Sequence, residues 1–175
     1  MADDDNLFSV QILAPDRALL TGRAEQVIMR TEDGDITFLN GHTPLVGAVV
    51  PCVVRVVREG DDEERLAVHG GFVQVEQLDD AQNDDDGSNA SASGGDTGTR
   101  VTVLASVAEL SEEIDVERAR VALESAQTRV SDLTAASGRS SSPEGDEADA
   151  ELVEAQGAVQ RAEVRLEASG ATTAA

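Results

Sequence analysis

The chain changes its hydrophobic period near residue 110. Before that point, apolar residues alternate with polar ones between glycine-containing turns, as in the run from Phe8 to Ile12, which is typical of half-buried strands. After that point, apolar residues recur every three or four positions, which is typical of amphipathic helices. The sequence therefore predicts an α+β chain in which a strand-built unit precedes a helical unit.

Seven runs in the first part have the composition of strands. Glu32, Asp33 and Gly34 predict a hairpin turn, and a run rich in β-branched residues predicts one or two strands bent at Pro51. Short strands at this spacing predict a β-sandwich or a flattened barrel. The predicted strands cover residues 8–12, 25–31, 35–39, 49–58, 65–69, 72–76 and 100–105.

Residues 79–99 interrupt this series before its last strand. The segment is acidic, rich in Ser and Gly, and almost free of large apolar side chains. Such a composition cannot bury enough apolar surface to fold, so we predict a disordered insert.

The second part predicts an antiparallel helical hairpin. Ser111 is a suitable N-cap for the first helix, and Gly and Pro within residues 138–145 separate it from the second. Both helices carry a seam with heptad spacing, which predicts that they pack together. The seam consists of Val116, Ala119, Leu123, Ala126, Val130 and Leu133, followed by Leu152, Ala155, Val159, Ala162, Leu166 and Ser169. We predict a sandwich domain at 1–108, a hairpin domain at 111–169 and a disordered tail at 170–175.

Charge restricts the partners of this chain. Its formal net charge is -22, and all 13 of its basic residues are Arg. This charge disfavours nucleic acid and anionic lipid surfaces. Two interpretations stay open, a basic protein partner and an acidic composition common to the whole host. Cys52 is the single cysteine, and Met1 is followed by acidic residues rather than a signal peptide, so we expect a cytoplasmic protein.

No catalytic or metal-binding set is evident in the sequence. His42 and His69 lack further ligands at metal spacing, and no serine lies in a nucleophile motif. Arg161 and Arg165 lie four residues apart on one helical face. They fit either ordinary surface ion pairs or an anion site between the helices.

Five motifs in order resemble the epsilon subunit family of F-type ATP synthases. They span nearly the whole chain apart from the insert. The motifs are Val10-Gln11-Ile12-Leu13-Ala14-Pro15-Asp16, the run from Gly34 to Leu45 with Gly41-His42-Thr43-Pro44-Leu45, Gly70-Gly71-Phe72-Val73-Gln74-Val75, Arg100-Val101-Thr102-Val103-Leu104-Ala105, and Ile114-Asp115-Val116-Glu117-Arg118-Ala119.

The resemblance implies a β-sandwich of about ten strands with a C-terminal helical hairpin. It implies a non-catalytic subunit of the rotating central stalk, whose sandwich binds the gamma subunit and the ring of c subunits. The membrane is then reached only through partners, at its cytoplasmic face. Gly41, His42, Thr43, Pro44 and Leu45 are the residues that this resemblance assigns to the interface.

The resemblance also implies that the hairpin is mobile. In its extended state it reaches along the gamma subunit toward the catalytic alpha and beta subunits and restrains ATP hydrolysis. No cofactor is required, but some relatives bind regulatory ATP at the hairpin. The corresponding residues are Glu109, Asp115, Arg118, Arg161 and Arg165.

Three features depart from the family pattern. Ser125 stands where a further first-helix arginine is expected, the insert replaces a tight turn, and Cys52 follows Pro51 where glycine is common. The resemblance implies that the hairpin meets an acidic region of the beta subunit, which the family usually contacts through basic residues. Because the helices here are acidic, we expect inhibition of hydrolysis that is weak or differently organised. The alternative is a free-standing adaptor with a ligand-binding sandwich and a coiled-coil hairpin for dimerisation.

Overall fold

The computed structural model describes residues 6–60, 62–78, 98–137 and 145–171. The chain forms two compact units, Met1–Leu110 and Ser111–Ala175. Within the described residues, the first unit contains ten strands, and the second contains a 3₁₀ turn and two helices. The predicted α+β architecture is therefore confirmed.

The strands of the first unit are short. They are β1 (Phe8–Leu13), β2 (Ala18–Ala24), β3 (Gln26–Thr31), β4 (Gly34–Phe38), β5 (Leu45–Val49), β6 (Cys52–Val57), β7 (Glu63–Val68), β8 (Gly71–Leu78), β9 (Gly98–Ala105) and β10 (Ala108–Leu110).

All ten strands belong to one sheet that folds back on itself. Its order is β10-β7-β6-β3-β5-β8-β9-β1-β2, and β4 pairs with β3 outside this path. The pair β1–β9 is parallel, and the other pairs are antiparallel. The terminal strands β10 and β2 also lie close together, so the sandwich is nearly a barrel.

The core of the sandwich is built mainly from valine. Val73 and Val75 of β8 face Val103 and Val101 of β9 in register, and all four side chains are buried. Strand alternation sends their neighbours to the outer surface. With only three Phe in the chain, β-branched residues fill the volume that aromatic side chains occupy elsewhere.

A three-residue ion network spans the outer surface of β6 and β7. Arg55 and Arg65 lie directly opposite each other, an arrangement that is unfavourable for two like charges. Glu63 accepts hydrogen bonds from both guanidinium groups. These bonds, from Arg55 first and then from Arg65, lower the pKa of Glu63 to about 2. The carboxylate therefore offsets the repulsion between the two arginines.

The strand β2, the three-residue β10 and all of β5 before Val49 were not predicted. The predicted run 49–58, expected to form one or two strands bent at Pro51, contains Val49 at the end of β5 and the whole of β6. Gly98 and Thr99 belong to β9 rather than to the insert, because they pair with Leu78 and Gln77. The predicted disorder of residues 79–97 lies outside the described residues.

The second unit is a pair of packed helices, α1 (Val116–Ser137) and α2 (Gly145–Ala168). The predicted seam is confirmed where Ala119 and Leu123 of α1 pack against Ala162 and Leu166 of α2. Alanine at alternate seam positions lets the two backbones approach closely. The predicted break at 138–144 lies outside the described residues. Within the described chain, neither helix has an apolar stretch that could cross a bilayer.

The first helix begins later than predicted. Ser111 opens a 3₁₀ turn that ends at Glu113, and α1 starts at Val116. Its N-cap is Asp115, whose Oδ1 accepts a hydrogen bond from the backbone N–H of Arg118 at 3.0 Å. Ser111 was the wrong choice of cap, since Asp115 is the residue adjacent to the first turn of α1.

The second helix ends at a glycine cap. Gly170 has a φ of 72°, and its N–H donates to the carbonyl of Glu167. A left-handed glycine after the last turn is a common way to end a helix. Gly170 and Ala171 are therefore part of the helix end rather than of the predicted tail, and residues 172–175 lie outside the described residues.

Candidate protein-interaction and ligand sites

The loop between β4 and β5 presents the predicted interface residues. Gly41 has a φ of 81°, and the N–H of His42 donates to the carbonyl of Leu39 at 3.2 Å, which closes a turn. Thr43 and Pro44 follow as exposed residues, and Leu45 is the first residue of β5. The loop therefore offers its backbone and short side chains to a partner.

The ring of His42 fixes the loop to the core. Its Nδ1 donates to the carbonyl of Thr43 at 2.8 Å, since a carbonyl oxygen can only accept. The ring also packs edge-on against Phe38, with centroids 5.0 Å apart and planes at 74°. Phe38 is completely buried, so the imidazole is anchored to a rigid part of the sandwich. This arrangement suits a structural role for His42.

An apolar row crosses the outer surface of the sandwich. Its five members come from five neighbouring strands and pair in register, which places them side by side. Phe72 is 59% exposed and Leu104 is 48% exposed, and Val46 lies in the adjacent row at 70%. The apolar row consists of Ala48, Phe72, Leu104, Leu13 and Ala18.

This surface is unusual for so acidic a chain. Adjacent exposed apolar side chains mark a protein-binding surface more often than scattered ones do. Sequence reasoning missed the apolar row because its members are scattered between residues 13 and 104 and meet only through strand register.

Four of the five predicted ATP-site residues belong to the hairpin unit. Arg118 precedes the seam residue Ala119, and Arg161 and Arg165 flank Ala162, which packs in the same cluster. The three arginines therefore border the same end of the hairpin. Asp115 already caps α1 through its carboxylate.

Glu109 has a different setting in the sandwich unit. It lies in β10, and its Oε1 is 3.9 Å from Nε2 of His69. The side chain of His69 is 2% exposed. This local neighbour in the sandwich was not predicted.

Both units match models of the same protein family. Residues 7–79 match the family model described as ATP synthase, Delta/Epsilon chain, beta-sandwich domain. Residues 112–170 match the model described as ATP synthase, Delta/Epsilon chain, long alpha-helix domain. The insert and the last strands lie between the two matches.

Individual relatives agree with these models. The ATP synthase epsilon chain of Thermobifida fusca is 40% identical over 129 residues, which are 73% of this chain and 79% of that protein. The epsilon chain of Microcystis aeruginosa is 31% identical over 93% of this chain and 95% of its own length. The solved Euglena gracilis mitochondrial ATP synthase, OSCP/F1/c-ring, contains a chain with the same fold, at a TM-score of 0.62 and 23% identity, over 93% of this chain and 80% of that one.

Proposed function

The chain belongs to the ATP synthase delta/epsilon chain family and is a non-catalytic, epsilon-type subunit of the central stalk, and we propose that its sandwich binds the gamma subunit and the c-ring while its hairpin regulates ATP hydrolysis. In this role it transmits rotation mechanically and reaches the membrane only through its partners.

The observation that carries the proposal is the apolar row. A subunit held permanently in a stalk needs a surface that another subunit covers, and the core of such an interface is usually apolar. Phe72 and Leu104 supply this surface at the centre of the row. We assign the apolar row to the gamma subunit.

The second contact is assigned to the loop Gly41–His42–Thr43–Pro44–Leu45. It lies at one end of the sandwich, is anchored by His42 to Phe38, and exposes Thr43 and Pro44. A rigid, uncharged loop suits a contact with another subunit, since little conformational entropy is lost on binding. We assign this loop to the c-ring.

The hairpin is assigned a regulatory role with respect to the alpha and beta subunits. Its helix α2 contains seven acidic and two basic residues, a net charge of -5, whereas the charges of α1 balance. An acidic helix is repelled by an acidic surface on a partner subunit. We therefore propose that the hairpin restrains hydrolysis weakly or through other contacts than a basic hairpin makes.

Binding to purified gamma subunit tests the first assignment. Phe72→Ser and Leu104→Ser should each weaken binding about tenfold, because each loses the burial of an apolar side chain that is now about half exposed. Leu39→Ser is the matched control, since Leu39 is 46% exposed but lies outside the apolar row. Unchanged affinity of the Phe72 and Leu104 variants would contradict the assignment.

Cross-linking tests the second assignment. Cys52 is buried, so a cysteine placed at Thr43 reacts selectively. In the assembled enzyme, Thr43→Cys should cross-link to subunit c, whereas Asp33→Cys in the exposed β3–β4 turn should not. Equal labelling of c from both positions, or from Asp33 alone, contradicts the placement of the loop.

Two measurements test the regulatory role. Removing residues 111–175 should raise hydrolysis by the assembled enzyme only modestly, and strong activation contradicts weak inhibition.

Calorimetric titration with ATP tests the proposed ATP site of the hairpin. Arg118→Ala should abolish any ATP binding, while Arg120→Ala, whose side chain pairs with Glu117, should not. Binding that survives Arg118→Ala unchanged removes this site.

A further inference from the structure

The loop assigned to the c-ring is held in place by two side chains from other strands. Gln77 of β8 and Thr99 of β9 lie opposite each other in register. The Nε2 group of Gln77 donates to the carbonyl of His42 at 2.6 Å, and the N–H of Gly41 donates to Oγ1 of Thr99 at 2.7 Å. Each side of the turn is therefore bonded to a neighbouring strand.

Thr99 is the centre of this arrangement. Only 1% of Thr99 is exposed to solvent. A threonine is rarely so buried unless its hydroxyl forms hydrogen bonds. Besides the bond from Gly41, Oγ1 accepts a hydrogen bond from Gln77 at 3.0 Å. The backbone N–H of Thr99 donates to Oδ1 of Asn40 at 3.4 Å. One buried residue thus joins three consecutive residues of the loop, two of them directly and His42 through Gln77.

The backbone conformation of the residue before Thr99 also favours these contacts. Gly98 has a φ of 100°, and a Cβ on it would lie 3.3 Å from Oδ1 of Asn40. A side chain at this position would strain the backbone and crowd the Asn40 amide. Glycine therefore lets β9 begin close enough to the loop for the Thr99 contacts to form.

We propose that Gln77 and Thr99 are positioning residues for the c-ring contact, which they do not touch themselves. Their hydrogen bonds hold Asn40, Gly41 and His42 in the conformation that binds the c-ring. This inference rests on the proposed function of the loop.

Affinity of the full-length protein for purified, detergent-solubilised c-ring tests the proposal. Thr99→Val keeps the shape of the side chain but removes the acceptor for two donors, and should weaken binding about tenfold. Gln77→Leu should act in the same direction. Thr99→Ser keeps a hydroxyl, so its affinity for the c-ring should be near that of the wild type.

Control measurements separate positioning from general damage. Thr37→Val makes the same chemical change at an exposed site on β4 and should leave c-ring affinity unchanged. Binding of gamma subunit, measured in parallel, should be the same in every variant and shows that the sandwich is folded. The backbone amide of Gly41 should exchange hydrogen faster in Thr99→Val than in Thr99→Ser.

The outcomes are distinguishable. If the wild type does not bind the c-ring, the proposed function of the loop fails and this inference fails with it. If the wild type binds and Thr99→Val binds equally well, only the positioning role is overturned. An equal loss of gamma and c-ring binding in Thr99→Val also overturns it, because the residue would then support the whole sandwich rather than the loop.

Discussion

Asp115 caps α1 in the structure and is also a proposed ATP ligand, and a substitution series tests the capping role. In the structure its Oδ1 accepts the backbone N–H of Arg118 at 3.0 Å, which satisfies one of the donors left free at the start of α1. Family resemblance assigns the same carboxylate to an ATP site. Asp115→Ala removes both functions, whereas Asp115→Ser removes the charge but keeps a good capping oxygen.

The magnitude follows from the cap. Replacing an N-cap Asp by Ala costs about 1 kcal/mol, and losing a negative charge beside the positive helix end costs about 0.3–1 kcal/mol more. We therefore expect Asp115→Ala to destabilise the start of α1 by about 1.5 kcal/mol. Asp115→Ser should recover most of this loss and retain only the smaller charge effect.

Hydrogen exchange of the first α1 amides is the appropriate assay, because the two units need not unfold together. A loss of 1.5 kcal/mol speeds local exchange about tenfold. Glu117→Ala is the charge-matched control: it also removes a negative charge from the first turn of α1, but this side chain is 81% exposed and does not cap the helix, so the variant should show only the smaller charge effect. Equal exchange in Asp115→Ala and the wild type, or equal damage in the Ala and Ser variants, would refute the capping role.

Three further substitutions test the energetics of the fold by urea unfolding. Glu63→Gln should cost about 1–2 kcal/mol at pH 7, after allowance for solvent screening. Because the folded pKa of Glu63 is about 2, below its usual 4.5, this advantage of the wild type is complete above pH 4.5 and shrinks as pH falls toward 2. Gly71→Ala should cost more than ~4 kcal/mol or prevent folding, since φ is 142° and the new Cβ would lie within 2.1 Å of the carbonyl oxygen of Leu104. Gly157→Ala should stabilise α2 by about 0.5–1 kcal/mol, because its Cβ meets only the flexible end of Arg161 at 3.1 Å.

The Glu63 and Gly71 substitutions each have an internal reference. Glu64→Gln, which breaks a single ion pair with Arg58 at 3.1 Å, should cost less than Glu63→Gln. Gly60→Ala changes a glycine with φ of 83° and no atom within 4 Å of the new Cβ, so it should cost only about 1 kcal/mol. The ion network would be contradicted if the stability difference between wild type and Glu63→Gln did not shrink at low pH. The close approach at Gly71 would be contradicted if Gly71→Ala lowered the free energy of unfolding only slightly.

The parts of the fold that depend on local period were predictable. The seam from Val116 to Leu133 repeats regularly, and in strands such as β9 buried residues alternate strictly with more accessible ones. The family resemblance is confirmed, because both units match models of the ATP synthase delta/epsilon chain family. The strands β2 and β10 were not predictable in this way. One is interrupted by polar residues and a glycine, and the other has three residues, so each depends on hydrogen bonds from β1 or β7.

The candidate sites were predictable only where a motif is contiguous. The loop around His42 is one uninterrupted run, and the structure presents it as such. Thr99 lies 58 residues from Gly41, to which it is bonded, and no local pattern connects them. The apolar row likewise requires the register of five strands. Hydrophobic periodicity is a local property of the sequence. It cannot predict the contacts that strand pairing creates between distant segments.

Isolation of the tagged full-length chain from detergent-solubilised membranes of its own cells, followed by native mass spectrometry, tests whether the protein is a stalk subunit. We expect a complex that contains the gamma subunit and the c-ring. We also expect Phe72→Ser combined with Leu104→Ser to deplete gamma, whereas Leu39→Ser should not. A discrete homodimer without stalk subunits would contradict the proposed function and favour the free-standing adaptor.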